Sequence, residues 1–344
     1  MEKPVALCLC LLLLAGCAAS TLPGEPSPSP SEPTASPSPP DTPAQPSPSP
    51  SDPKDDVKGE VDLDAILQSF AAKTAEGFTP RAGFDKKQEG VAYGETAELE
   101  YYSNTTGATR KCIVYTPPGY DPSRTYPVLY LLHGIGGIHT EWLGGEPNNI
   151  LSNLLAEGDA PPMIAVLPNI RAKQNDGVGG DIFGAESIAA FDNFINDLRD
   201  DLMPFIRENY SVSDKREETA VAGLSMGGRE ALFIAVSMPE TFGFAGAFCP
   251  APGLMSSNLG IPGQLDPSDM TLPEKYKRDM FILINAGNQD TVVGDSPLNY
   301  SGAFAANGVE HAYYSIDGGH GFDVWKNGLY WFAGCIFKRA ESGN

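Results

Sequence analysis

The sequence predicts an α/β fold in which helices cover both faces of a mostly parallel sheet. Short apolar runs such as Val128–Leu132, Met163–Leu167 and Phe281–Ala286 have the length and composition of buried strands. Segments with helical spacing alternate with these runs, and such alternation is typical of a parallel sheet. A serine between glycines, Ser225, stands where the apolar run Thr219–Leu224 turns into a helical segment.

Residues 1–17 are predicted to be an export signal rather than part of this fold. Lys3 precedes the apolar run Val5–Leu14, which is too short to span a bilayer as a stable helix. The run ends in Leu-Ala-Gly-Cys17, which resembles the lipobox of bacterial lipoproteins. We therefore expect Cys17 to carry lipid, including palmitate, and to hold the protein at the outer face of the bacterial cell membrane. The alternative is an ordinary secretory signal that contains a cysteine.

Residues 18–56 are predicted to be a linker without a core. Thirteen of the 31 prolines lie between Pro23 and Pro53, among serines, threonines and acids. Such a segment cannot bury apolar surface and favours extended polyproline II. At about 3.1 Å per residue it could reach on the order of 100 Å. We expect a tether that carries the enzyme away from the membrane, or else a spacer with no role in reach.

Residues 57–344 have the length of one α/β domain. The formal net charge of −21 argues against nucleic acid and polyanionic partners. Outside the signal and Cys17, the cysteines are Cys112, Cys249 and Cys335, and they lack metal-ligand spacing. We expect these three to be buried small hydrophobes, while one disulfide stays open as an alternative.

The remaining elements follow from apolar periodicity along the chain. The predicted strands outside those already named are Ala97–Tyr102, Thr109–Tyr115, Phe244–Phe248 and His311–Ile316. The predicted helices are Val61–Ala72, Asn149–Glu157, Ser187–Tyr210, Met226–Met238, Ser296–Ala306 and Phe322–Arg339.

Ser225 is the candidate nucleophile. It lies in Gly223-Leu-Ser-Met-Gly-Gly228, a G-x-S-x-G stretch whose small residues let a strand turn sharply into a helix and present the hydroxyl. The following helix N-terminus favours negative charge at the same place. This context predicts an α/β-hydrolase fold, while a solvated serine in a glycine-rich turn is the alternative.

A serine hydroxyl needs a base, because it is a weak nucleophile at neutral pH. In α/β-hydrolases the chain order is serine, acid, histidine, which leaves His311 and His320. His320 lies in a glycine-rich loop after a strand, whereas His311 begins the strand itself, so we favour His320. Asp290 follows the apolar run that ends at Ala286 and is the preferred acid, with two competitors, Asp295 and Asp317.

The oxyanion of the reaction is expected to be held by backbone N–H groups. The loop that begins at His133 follows a predicted strand, and Ile135 is the preferred donor there, with Gly136 next and Met226 as the second donor. Trp142 and Trp325 lie near the presumed mouth in sequence. They are candidate substrate-stacking residues, with core or rim packing as the alternative.

The sequence resembles the feruloyl esterase modules of carbohydrate esterase family 1, an esterase D-like group. The resemblance runs from about Phe84 to Phe337, nearly the whole folded part, and six stretches carry it. They are Pro117–Tyr120, Tyr130–Gly137, Asn148–Gly158, Asn209–Val212, Ala222–Gly228 and Gly318–Lys326.

This resemblance implies a Ser225–Asp290–His320 triad that works without a metal or cofactor. It implies a serine esterase that releases ferulic or other cinnamic acids from feruloylated arabinoxylan in plant cell walls. The same family contains acetylxylan esterases, and related folds include acyltransferases, so both activities stay open. A hydrolase fold used only for binding is a further alternative, against which the three residues in the expected order argue.

Overall fold

The computed structural model describes residues 61–75, 77–256 and 263–338. The chain divides after Asp56, and all described residues belong to the second unit, Val57–Asn344. The expected signal, the lipidated Cys17 and the linker over residues 18–56 lie outside the described residues. Among the helices that are described, none has the length and apolar content needed to cross a membrane.

Eight strands of the described chain form one sheet in the order β1-β2-β4-β3-β5-β6-β7-β8. They are β1 (Glu95–Ser103), β2 (Ala108–Thr116), β3 (Val128–Leu132), β4 (Ile164–Pro168), β5 (Thr219–Leu224), β6 (Phe244–Phe248), β7 (Phe281–Gly287) and β8 (Ala312–Ile316). β2 is antiparallel to both of its neighbours, and the other pairs are parallel. The expected α/β fold with a mostly parallel sheet is therefore confirmed.

The helices pack on a sheet whose strands β3 to β7 are buried along their whole length. Because side chains of a strand alternate between faces, burial of every residue requires cover on both faces. α6 packs against β3, β5 and β6, and α8 packs against β6, β7 and α2. The helices are α1 (Leu63–Ala75), α2 (Pro147–Ala156), α3 (Ala185–Asp192), α4 (Phe194–Asp197), α5 (Met203–Asn209), α6 (Met226–Ser237), α7 (Ser296–Ala306) and α8 (Phe322–Ala333).

Two of the predicted helices differ from the structure. The segment predicted as one helix over Ser187–Tyr210 consists of α3, α4, a π-helical turn at Leu198–Leu202, and α5. Pro204 explains the widened turn, because its ring has no N–H and excludes the carbonyl four residues earlier. The last helix ends at Ala333 rather than at Arg339, and Phe337 has a left-handed φ of 60°, which a continuing helix cannot contain.

The leading helix α1 belongs to the folded domain. Its Phe70 ring contacts Phe78, Tyr314 and Phe281, with centroids 5.1, 5.6 and 6.4 Å away. Just before the helix, the Val61 N–H donates to Asp279 Oδ1 at 3.0 Å. α1 thus covers apolar side chains of β7 and β8, a role that the sequence did not reveal.

The strand order reverses beside the candidate nucleophile. From β3 the chain moves to β4 on one side and then to β5 on the other, so the order reverses between β3 and β5. Ligands of such sheets bind beyond the carboxyl ends of the strands at a reversal of this kind. Leu132 pairs with Gly223, and Leu224 pairs with Phe248, so the loops after β3, β5 and β6 begin side by side.

Candidate active site

Ser225 stands on a strained turn between β5 and α6. Its φ of 52° and ψ of −116° lie in a region that non-glycine residues rarely adopt. The turn is possible because two flanking residues lack a side chain. A Cβ on Gly223 would lie 2.4 Å from the carbonyl carbon of Gly227, and a Cβ on Gly227 would lie 2.4 Å from the oxygen of Leu132. The glycines therefore let the helix begin directly against β3 with Ser225 immediately before its first residue.

Ser225, His320 and Asp290 form one hydrogen-bonded chain. His320 Nε2 lies 2.9 Å from Ser225 Oγ, and His320 Nδ1 lies 2.7 Å from Asp290 Oδ2. Asp290 Oδ1 also accepts the N–H groups of Val292 and Val293 at 2.9 and 3.2 Å. The Asp290 side chain is only 1 % exposed, so its carboxylate is held in one orientation toward the imidazole.

The competing residues lie outside this hydrogen-bonded chain. His311 Nε2 lies 2.7 Å from Ser301 Oγ, which gives this histidine the structural role expected of it. Asp317 Oδ1 accepts a hydrogen bond from Asn288 at 2.6 Å. Asp295 stands at the N-cap position of α7. Of these three acids, all in the described part of the chain, Asp290 is the one that bonds to His320.

The two segments that carry the backbone groups expected at the oxyanion adjoin Ser225. Met226 is the first residue of α6, where an N–H has no acceptor within the helix. A Cβ on Gly134 would lie 3.4 Å from the Ser225 Cβ, so the loop over residues 133–137 adjoins the nucleophile. Ile135 and Gly136 are the next two residues of that loop.

His133 holds this loop from within. Burial lowers the pKa of His133 to about 4, so its imidazole is neutral at pH 7. Nδ1 donates to the Gly134 carbonyl at 2.7 Å, and Nε2 accepts the N–H of Ile170 at 2.9 Å. These bonds agree with the structural role expected of His133.

The two tryptophans are buried, and this corrects their assignment as substrate-stacking residues in favour of core packing. Trp142 is 1 % exposed, and its indole N–H donates to the Leu132 carbonyl at 2.8 Å inside the core. Trp325 is 8 % exposed and sets its ring at 89° to the imidazole of His320, with centroids 5.1 Å apart. Spacing along the chain placed both near the site, but both indoles turn inward to pack.

Two charged residues of the site were missed. Glu141 Oε2 accepts the N–H of Gly134 at 2.6 Å. Arg171 Nη2 donates to the carbonyl of Ile135 at 2.8 Å. Both contacts join separate elements, and no local motif in the sequence marks either residue.

One group of three residues in the described chain has the composition of a metal site. The nearest ligand atoms of Cys249, Asp290 and His320 lie within 4.8 Å of one another. Asp290 and His320 already bond to each other, and the second nitrogen of His320 faces Ser225. Asp290 and His320 are thus members of a serine, histidine and acid triad, and Cys249 is a neighbouring thiol. Cys112, Cys249 and Cys335 are buried free thiols, as expected.

The chain matches known esterases. The family model described as "Putative esterase" matches residues 103–331, more than half of the chain. An endo-1,4-beta-xylanase/feruloyl esterase of Xylanibacter ruminicola is 30 % identical over 258 residues. That match covers 72 % of this chain but only 32 % of the relative, so the chain spans about a third of the relative's length.

Solved structures agree with this match. A CE1 ferulic acid esterase from the anaerobic fungus Anaeromyces mucronatus superposes with a TM-score of 0.72 at 35 % identity, and the alignment covers 76 % of this chain and 97 % of that one. The feruloyl esterase module of Clostridium thermocellum, solved with sinapinate, is similar in fold, with a TM-score of 0.57 at 19 % identity over 77 % and 95 % of the two chains. The chain therefore belongs to the esterase family, among the CE1 ferulic acid esterases, and has the α/β-hydrolase fold.

Proposed function

We propose that this esterase releases ferulic or related cinnamic acids from feruloylated arabinoxylan, with Ser225 as the nucleophile. The observation that carries the proposal is the chain Ser225–His320–Asp290, with separations of 2.9 and 2.7 Å, in a chain 35 % identical to a ferulic acid esterase. The structure of that relative has also been determined with ferulic acid bound, which supports an aromatic acyl group as substrate.

The first half of the reaction acylates the serine. Ser225 Oγ attacks the ester carbonyl while His320 Nε2 takes the hydroxyl proton. The carbonyl oxygen becomes an oxyanion, which the N–H of Met226 and an N–H of the loop at Ile135 or Gly136 stabilise. His320 then passes its proton to the leaving sugar oxygen, the ester bond breaks, and the acyl-enzyme remains.

The second half releases the acid. A water molecule loses a proton to His320 and attacks the acyl-enzyme, and the same N–H groups stabilise the second oxyanion. His320 returns the proton to Ser225 Oγ as the acyl bond breaks. Asp290 stabilises the imidazolium at both stages, because its buried carboxylate already bonds Nδ1. Apart from the ester and this water molecule, each step uses groups of the chain itself.

A substrate panel tests the proposal. Initial rates on methyl ferulate, feruloylated arabinoxylan and acetylated xylan are compared for the wild type and Ser225→Ala. We expect ferulate release by the wild type and none above background by the variant, which should keep the wild-type melting temperature. A preference above tenfold for acetyl esters would assign the enzyme to acetylxylan instead. Full activity in Ser225→Ala would remove the assignment of the nucleophile.

We also propose that the enzyme is anchored by lipid at Cys17 and acts outside the cell. The support is the sequence alone: an apolar run that ends in Leu-Ala-Gly-Cys, followed by a proline-rich stretch. Expression of the full chain with a fatty-acid label should give a labelled protein in the membrane fraction. Cys17→Ser should abolish the label, and unchanged labelling of that variant would contradict the proposal.

A further inference from the structure

Two charged side chains from outside the loop that adjoins Ser225 form hydrogen bonds with its backbone. We call residues 134–137 the oxyanion loop. Glu141, at the start of the short 3-10 helix Glu141–Gly145, accepts the Gly134 N–H at 2.6 Å. Arg171, in the segment after β4, donates to the Ile135 carbonyl at 2.8 Å.

The Glu141 carboxylate packs closely against two glycines of the loop. A Cβ on Gly137 would lie 2.3 Å from Glu141 Oε2, so a larger residue there would displace the carboxylate from this position. A Cβ on Gly134 would lie 3.4 Å from both Glu141 Oε2 and Ser225 Cβ. Gly134 therefore lies close to both the carboxylate and the nucleophile.

Arg171 closes the other side of the loop. The residue is 2 % exposed, and its guanidinium lies 4.8 Å from the centre of the Phe191 ring. Nη2 reaches the Gly137 carbonyl at 3.4 Å in addition to Ile135, and Nη1 donates to Ser187 Oγ at 3.2 Å. Because the planar guanidinium donates to three acceptors, it has little freedom to move.

Peptide geometry converts these bonds into the direction of the N–H groups. The described peptide bonds are trans, and in a trans peptide the C=O and N–H point in opposite directions. His133 Nδ1 fixes the Gly134 carbonyl, which aims the Ile135 N–H the other way. Arg171 fixes the Ile135 carbonyl, which aims the Gly136 N–H away from the guanidinium. The two candidate donors in the loop are thus oriented by the side chains of His133 and Arg171.

We propose that Glu141 and Arg171 are positioning residues that clamp the oxyanion loop in its catalytic shape before substrate binds. This inference rests on the proposed mechanism, but it concerns the loop and not the identity of the acyl group. Preorganised donors stabilise an oxyanion without reorganising during the reaction, and losing one donor outright costs about 10²–10³ in kcat. A loosened donor costs less, so we expect losses on the order of 10- to 100-fold in kcat.

The test uses 4-nitrophenyl acetate, an ester without a feruloyl group. Glu141→Ala and Arg171→Met should lower kcat on the order of 10- to 100-fold while KM changes by less than about threefold. Glu141→Gln should keep at least a third of the wild-type kcat, because its amide oxygen can still accept the Gly134 N–H. Should Arg171→Met fail to fold, Arg171→Lys replaces it, with an intermediate kcat expected.

A second readout separates positioning from stability. An aryl trifluoromethyl ketone forms an oxyanion when Ser225 adds to it, whereas ferulic acid does not. Glu141→Ala and Arg171→Met should therefore lose affinity for the ketone by about the same factor as they lose kcat. Arg216→Met is the matched control. Arg216 also donates to backbone carbonyls, including that of Pro239 at 2.6 Å, but it precedes β5 at the opposite edge of the sheet. It should lower the melting temperature and leave kcat unchanged.

Three results would overturn the clamp. The first is wild-type kcat and ketone affinity in folded Glu141→Ala. The second is a Glu141→Gln variant as impaired as Glu141→Ala, which would show that the charge matters and not the bond to Gly134. The third is wild-type kcat in the folded Arg171 variant. Because 4-nitrophenyl acetate reports on any serine esterase, failure to hydrolyse methyl ferulate would reject the proposed substrate and leave this test intact.

Discussion

The Asp290 carboxylate lies 2.7 Å from Nδ1 of His320 while two backbone N–H groups hold its other oxygen. The bonds to Val292 and Val293 come from the turn that follows Asp290 itself. One oxygen is therefore fixed by the local chain, and the other is left to face the imidazole. This division sets the tautomer of His320, because an ionised carboxylate accepts only N–H at Nδ1 and leaves Nε2 free to accept the Ser225 proton.

Asp290→Asn tests this arrangement. The amide can present N–H to Nδ1, which would place the histidine proton on Nε2 and block its action as a base. We expect kcat on 4-nitrophenyl acetate to fall on the order of 10³- to 10⁴-fold with little change in KM. Asp317→Asn is the control, since Asp317 bonds Asn288 and not the histidine. A loss below tenfold in Asp290→Asn would assign the acid to another residue.

The three triad residues could be predicted from the sequence because each stands in a recognisable local pattern. Ser225 has glycines on both sides, Asp290 follows a buried strand, and His320 lies in a glycine-rich loop near the last helix. In a parallel sheet such positions meet at one edge. The order of the residues along the chain then selected one acid and one base from few candidates.

Contacts between distant elements could not be read in the same way. Arg171 bonds Ile135 across 36 positions, and its type and spacing do not differ from those of a surface arginine. For Trp142, the position in the chain suggested a place near the mouth of the site, but the indole lies in the core. Side-chain direction depends on how elements pack, and periodicity alone does not contain it.

The neutral state of His133 predicts acid sensitivity of folding. Burial lowers the pKa of His133 from 6.5 to about 4, so between these values the unfolded chain binds a proton that the folded chain does not. Stability is therefore complete above about pH 6.5 and is lost as pH falls toward about 4, by about 3 kcal/mol from this group.

Urea unfolding at a series of pH values from 7 to 4 measures this effect. The wild type should lose stability over this window, and His133→Gln should lose less, because a glutamine does not titrate. The comparison uses the slope with pH, so a variant that is less stable at every pH remains informative. Equal slopes in the two proteins would contradict a neutral buried His133.

The three described cysteines should be unreactive in the folded enzyme. Burial raises the pKa of the Cys112 and Cys249 thiols to about 12 and that of Cys335 to about 11. Alkylation requires thiolate, so iodoacetamide at pH 8 should modify none of the three in the native protein and all three in urea. Peptide mapping by mass spectrometry reads each site separately. Modification of Cys249 in the native state within minutes would show that solvent reaches the space beneath His320.

Replacement of Gly227 tests the packing of the nucleophile turn against β3. A Cβ there would lie 2.4 Å from the Leu132 oxygen and 2.5 Å from the His133 oxygen, and backbone cannot yield as a flexible side chain does. Gly227→Ala should therefore destabilise the domain by about 3 kcal/mol or more.

The matched control for Gly227→Ala is Gly302→Ala. Gly302 lies within α7, and a Cβ there would meet nothing within 4 Å. This change should stabilise the domain by about 0.5–1 kcal/mol, because alanine restricts the unfolded chain and favours helix. Urea unfolding of both variants and the wild type measures the change in the free energy of unfolding, which should be a decrease for Gly227→Ala and an increase for Gly302→Ala. Equal stability of the two variants would mean that α6 moves away from β3 without cost, and the position of Ser225 would then not depend on glycine at 227.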